Sequence, residues 1–159
     1  MTGSILQVNI SRGGIPKLPI PQAAIGPLGI EGDSHAHPQI HGGPDKAVLL
    51  ITLEGIDELI QGGYALYPGA LGENLTIRGL DRRQLRVGQQ LRAGSAMIEI
   101  TRPRGPCVTL DVYGTALKRE IKAGDPSSPA WGLSGFYARV LQSGTVRPDD
   151  IITIVATVA

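Results

Sequence analysis

"LRVGQQLRAGSAMIEITRP", Leu85 to Pro103, is the stretch on which the fold class turns. Its second half alternates, with Ala96, Ile98 and Ile100 on one face and Met97, Glu99 and Thr101 on the other, the period of a half-buried strand. Gln89 to Arg92 forms an extended run before it, and "AGS" (Ala93 to Ser95) supplies a tight turn between the two. The segment is therefore expected to be a β-hairpin.

Working outward, the same short-strand grammar recurs. "ILQVNI" (Ile5 to Ile10) is expected to be a first strand, and "SRGGIPKLPIPQAAIGPLG" (Ser11 to Gly29) is too rich in Gly and Pro for a long element, so an ordered loop is expected. "KAVLLIT" (Lys46 to Thr52) is the continuous apolar run of a fully buried strand, and "LEGIDELI" after it has Ile56, Leu59 and Ile60 at helical spacing. In "YPGALGENLTIRGL" the residues Pro68, Gly69 and Gly72 make a loop before "NLTI" extends again. "TALKREIKAG" (Thr115 to Gly124) is expected to be a second short helix, with a Thr cap and a Gly stop. "GFYARVLQSGTV" and "DDIITIVATVA" are expected to be closing strands, joined by a turn around Arg147 and Pro148. Many short strands, two short helices and no fixed repeat predict a mainly β, barrel-like single domain over residues 1–159. A parallel βαβ sheet is not expected, because helices do not alternate with strands along the chain.

Composition narrows the function classes. Glycine (22) and proline (12) make up about a fifth of the 159 residues, against a usual share of about 12%. With 15 Lys and Arg against 14 Asp and Glu, no strong field favours nucleic acid or an acidic membrane, so neither is an expected partner. The start "MTGSILQVNI" lacks the pattern of a secretory signal, the longest apolar run is Ala47 to Ile51, and one cysteine permits no internal disulfide. A cytoplasmic location is expected.

That cysteine, Cys107, lies in "TRPRGPC". Pro103 and Pro106 stiffen the segment, and Arg102 and Arg104 bring positive charge near a thiol, a setting that favours the thiolate, which attacks sulfur or binds a soft metal. The plainer alternative is a buried cysteine serving as a small hydrophobe. "HGGPDKAV" offers an anion cradle, in which His41 precedes Gly42 and Gly43, whose backbone can turn N–H groups inward, and Lys46 adds a charge. "GGIPK" repeats the idea with Lys17. "GALGENL" places Glu73 and Asn74 where they could face a ligand. All three histidines, His35, His37 and His41, fall in "HAHPQIH", which leaves a zinc site open as a rival.

Taken in order, "GGIPK", "GIEGDSHA", "HGGPDKAV", "YPGALGENLTI", "VGQQLRAGSAMIEITRPRGPC" and "GFYARVLQSGTVRPDD" resemble the MOSC domain family, named for the C-terminal domain of molybdenum cofactor sulfurase, and most of all its small stand-alone, YiiM-like bacterial members. The resemblance implies a β-barrel fold, binding of the molybdenum cofactor (molybdopterin), and a cysteine that ligates molybdenum or carries a persulfide. Cys107 occupies that position. The cofactor phosphate would meet the glycine turns with Lys46 and Lys17, while Arg102, Arg104, Asn74 and His41 would line the pterin and metal side. Two functions follow from the resemblance. One is an oxidoreductase that reduces small N-hydroxylated compounds with electrons from a separate reductase, since a lone cysteine cannot hold an iron–sulfur cluster. The other is a sulfur carrier or cofactor-delivery module served by a sulfur-donor protein. The pyridoxal-phosphate domain fused to the sulfurases needs a far longer chain than this one.

Overall fold

A computed structural model describes residues 1–34 and 43–156, so His35, His37, His41 and Gly42 lie outside the described residues. The hairpin expected at Leu85 to Pro103 forms from β7 (Gln90–Ala93) and β8 (Ala96–Pro103), with Leu91 opposite Ile98 and Ala93 opposite Ala96. Ala96, Ile98 and Ile100 are buried, as the alternation requires.

Around this hairpin stand β1 (Thr2–Ile10), β5 (Val48–Thr52), β6 (Leu75–Arg78), β9 (Phe136–Gln142) and β11 (Ile151–Ala156). The sheet runs β11-β7-β8-β9-β5-β6-β1, and β1 pairs back onto β11 with Thr2 opposite Thr153, closing a seven-stranded barrel. Closure leaves the circuit without an edge strand. Ile5, Val8, Leu50, Leu75, Ile77, Leu91, Ile98, Phe136 and Ile152 fill the interior.

The run that reads as fully buried has a specific cause. Leu50 belongs to the barrel core, while its neighbour Ile51 belongs to a second cluster outside the barrel with Ile56, Leu59, Leu71, Leu110 and Leu117. Both faces of β5 are covered, so alternation disappears. Between β5 and β6 lies α1 (Leu53–Gln61), and the two strands pair in parallel with Ile51 opposite Thr76. One βαβ unit thus sits within a barrel whose other strand pairs are antiparallel.

Thr52 caps α1, its hydroxyl accepting from the Gly55 N–H at 3.1 Å. Thr52→Ala is expected to cost about 1 kcal/mol in urea unfolding, and Thr52→Ser to retain most of that. An alanine variant as stable as its parent would show that the cap contributes nothing.

Three expectations are corrected. Ser11 to Gly29 builds β2 (Leu18–Ile20), β3 (Ala23–Gly26) and β4 (Gly29–Ile30) in place of a plain loop. Pro19 is tolerated because β2 adds to β1 at the margin of the sheet. The closing run from Gly135 divides at Ser143, and its second part, β10 (Gly144–Val146), joins β3 and β4 in a separate small sheet. The second helix, α2 (Leu117–Glu120), has four residues and begins after Ala116 rather than a threonine cap; burial of Leu117 and Ile121 holds it. Among the described residues, no helix is long and apolar enough to cross a membrane.

Candidate functional site

Where β8 ends, the chain leaves the barrel. Arg104 still donates its backbone N–H to the Gly135 carbonyl at 2.9 Å, and Cys107 then opens a 3-10 segment, Val108–Tyr113, whose first turn closes from Leu110 N–H to the Cys107 carbonyl at 3.1 Å. The thiol is half-buried, with Sγ 2.9 Å from the Thr109 hydroxyl. It is not sealed among aliphatic side chains.

Four of the predicted residues gather around one that was not foreseen, Tyr137. It lies on β9 opposite Arg102. Lys46, at the end of the 3-10 turn Pro44–Lys46, holds its ammonium 5.4 Å above the Tyr137 ring centroid. Arg104 and Cys107 are both near enough to the phenol to act on it electrostatically. Burial raises the phenol's pKa, and the charges of Arg104 and Arg102 oppose that rise. Thr101 fastens the group, its hydroxyl donating to the Asp45 carbonyl at 2.5 Å and lying 3.2 Å from the Tyr137 carbonyl. No local pattern announces Tyr137; its place follows from the pairing of β8 with β9.

Arg104 is only 5% exposed, yet among the described residues its Nε and Nη1 have no hydrogen-bond partner. A guanidinium stays charged even when buried, so orphaned donors on it are costly unless an acceptor meets them. Gly43 enters the Lys46 turn with φ 99°, and a Cβ built there meets nothing within 4 Å among the described residues.

The "GALGEN" loop packs against the same region. Glu73 is fully buried, and its Oε2 accepts from Gly69 N–H at 3.0 Å and from the Thr76 hydroxyl at 2.9 Å. Oε1 has no partner. Burial raises the pKa of this carboxyl, against the pull of the Gly69 amide, Thr76 and Arg104. Gly69 has φ 94°, and a Cβ there would collide with the Lys17 carbonyl, so this turn requires glycine. The Tyr113 hydroxyl donates to Ala70 O at 2.7 Å, and burial raises its pKa to about 12.

Lys17 and Asn74 are placed elsewhere. Lys17 Nζ contacts Asp33 Oδ1 at 2.7 Å, Ser34 O at 3.2 Å and Ser11 Oγ at 3.3 Å, so its donors are spent inside the fold. Asn74 Oδ1 accepts from Leu49 N–H at 3.0 Å, and Nδ2 donates to Asp33 Oδ2 at 2.8 Å and Asn9 O at 3.3 Å. Asp33 joins them in one buried network. The histidine zinc site falls outside the described residues, and among the described residues no group of three or more His, Cys, Asp or Glu is placed to hold a metal.

Comparison with known proteins agrees with this architecture. The chain is 37% identical over 121 residues to the uncharacterized protein YflK of Bacillus subtilis, covering 74% of this chain and 52% of that protein. It is 34% identical over 136 residues to protein YiiM of Escherichia coli, covering 83% and 58%. The chain thus spans about half the length of the curated relatives it matches. The crystal structure of YiiM from Geobacillus stearothermophilus superposes with a TM-score of 0.75 at 28% identity, over 97% of this chain and 75% of that one. Residues 37–153 match the model of the MOSC domain, and the chain belongs to the MOSC domain family.

Proposed function

We propose that this chain binds a molybdenum-pterin cofactor, with the Cys107 thiolate as metal ligand, and reduces small N-hydroxylated compounds using electrons from a separate reductase. The observation that carries this reading is the buried Arg104 guanidinium, with two donors unpartnered among the described residues, and a half-exposed thiol three residues on, both near enough to act on the Tyr137 phenol. Such a pair fits a ligand that is both anionic and thiophilic. Arg104, Lys46 and the Gly43 backbone would hold the negative groups, with Arg102, opposite Tyr137, adding charge beside them. When bound, the cofactor would supply the redox centre. Conversion of an N-hydroxyl group to N–H takes two electrons and two protons and releases water; because the cysteine is single and no flavin motif is present, the electrons must come from outside the chain. The chain's own contribution is positioning and charge.

A second reading, a persulfide carrier or cofactor-delivery module, is favoured by one feature. Val108 and Val112 are 68% and 75% exposed on the segment that begins at Cys107, an apolar rim suited to a protein partner approaching the thiol.

The test is elemental analysis of protein from a molybdate-fed host, with turnover of an N-hydroxylated base by a chemical reductant. Molybdenum should be present in the parent and reduced at least about tenfold in Cys107→Ser, since even outer-shell losses at metal sites cost about 10–100-fold. Persulfide on Cys107 without molybdenum or turnover would select the carrier. Metal retained equally by the serine variant, or zinc in place of molybdenum, would overturn both.

A further inference from the structure

We propose that the outer face of the 3-10 segment Val108–Tyr113, with the cations of α2 beside it, docks an acidic electron-donor protein next to Cys107. This deepens the function proposed above and rests on its reading that electrons reach the site from a separate protein. The docking itself is testable on the chain without a cofactor.

The face exists because of how the segment is anchored. Leu110 is buried in the second cluster, and three residues per turn leave Val108 and Val112 on its two outer flanks, where both are exposed. Leu117 of α2 is buried in the same cluster, and Lys118 Nζ meets Asp111 Oδ2 at 3.2 Å, so the segment and α2 are fastened side by side. The Tyr113 hydroxyl pins the far end to Ala70 O, in the turn that the exposed Tyr67 begins. Exposed valines and a tyrosine near a half-buried thiol make an apolar centre of the kind protein interfaces use.

Charge selects the partner. Residues 102–122 hold five cations, Arg102, Arg104, Lys118, Arg119 and Lys122, and two carboxylates, Asp111 and Glu120, a net +3 in a chain whose total is +1. The remainder of the chain is therefore net negative. Arg104 is buried and Lys118 is paired with Asp111, which leaves Arg102, Arg119 and Lys122 exposed against the exposed Glu120. The neighbouring helix α1 adds little opposing charge, because Glu54 Oε2 accepts from the Gly79 N–H at 3.0 Å and Glu58 pairs with Arg82 at 2.8 Å, leaving Asp57 as its one carboxylate without a partner among the described residues. An apolar centre with a positive rim suits a partner whose rim is acidic, since opposite charges steer the encounter and orient it. An electron donor fits such a face, because transfer needs only a small, short-lived contact.

The test uses the full chain, oxidised flavodoxin as the acidic probe and cytochrome c as a basic control. It follows alkylation of Cys107 by neutral iodoacetamide, in which the thiolate displaces iodide, and expresses protection relative to each variant's own free rate. Saturating flavodoxin at low salt should slow alkylation at least about threefold by covering the approach to the thiol, and cytochrome c should leave it unchanged. Raising the ionic strength from about 0.02 to 0.3 M should weaken flavodoxin binding about tenfold, as the Debye length shortens. Arg119→Glu combined with Lys122→Glu should weaken it about as much at low salt, and Val112→Ser about threefold to tenfold with the salt dependence kept.

No protection by flavodoxin, equal protection by cytochrome c, or protection that ignores these substitutions overturns the proposal. A Val112→Ser variant that loses self-association of the free chain in sedimentation, with flavodoxin docking unchanged, overturns it too and makes the face an interface between copies. Molybdenum is measured on the same preparation. Metal absent with charge-dependent docking defeats the cofactor reading and sustains this one, whereas metal present without docking does the reverse.

Discussion

Asp33→Ala is expected to destabilise the barrel by about 3–5 kcal/mol in urea unfolding, the loss seen when one member of a buried ion pair is removed. The Lys17 and Asp33 side chains are 7% and 4% exposed, with Nζ and Oδ1 2.7 Å apart. Removing the carboxylate strands the ammonium with only the Ser11 hydroxyl and the Ser34 carbonyl as acceptors. It also leaves the Ser11 N–H and Asn74 Nδ2 without the partners they now meet at 2.9 Å and 2.8 Å. The cost is thus mostly that of an unpaired buried charge. Asp33→Ala with Lys17→Met should accordingly recover a substantial part of the loss, because it removes the stranded group. A single variant within about 1 kcal/mol of the parent would mean that water reaches Lys17. The consequence extends to the pocket, since Asn74 adjoins Glu73 and ties the start of β6 to β1 and β5.

Sequence periodicity revealed those parts of the molecule whose cause is local. The alternation of Ala96, Ile98 and Ile100 is a record of one buried face, and the structure keeps it. The parallel β5 and β6 pair escaped because α1 is short and its crossover occurs once, so no repeating βα rhythm builds up. Barrel closure is equally invisible, resting on Thr2 to Ser4 meeting Ile151 to Thr153 across nearly the whole chain. The strands in Ser11 to Gly29 are two to four residues long and take their form from neighbours in the sheets, which is why a run full of proline and glycine carried no sign of them.

The same division holds at the site. Cys107, Arg102 and Arg104 are legible because they are crowded into one proline-stiffened segment. Lys17 looks like a ligand-facing cation until Asp33, sixteen residues away, is seen to occupy it. Tyr137 looks like any strand aromatic, and only the extra residue at Thr101 and the β8–β9 register give it three cations and a thiol for company. In this chain, local chemistry singles out the candidate thiol, while long-range pairing decides which charges accompany it.

Glu73 shows how that company is maintained, and its replacement carries the other large effect. Glu73→Ala is expected to cost about 2–4 kcal/mol, because the Gly69 N–H and the Thr76 hydroxyl would both lose a buried acceptor at about 1–3 kcal/mol each. Glu73→Gln keeps an acceptor for both and should be far milder. The two differ further in their response to pH. Burial raises the Glu73 pKa above its ordinary 4.5, so the folded chain keeps this proton to a higher pH than the unfolded chain does. The associated stability is fully present below the ordinary value and is lost as pH rises through the higher folded one. Glutamine does not titrate and lacks that loss. Urea midpoints measured between about pH 4 and 8 should therefore show the parent falling relative to Glu73→Gln as pH increases, with the gap closing or reversing in the glutamine's favour. Parallel curves for the two proteins would mean that Glu73 ionises as easily inside the fold as outside it. That result would require the Gly69 amide, Thr76 and Arg104 together to offset its burial.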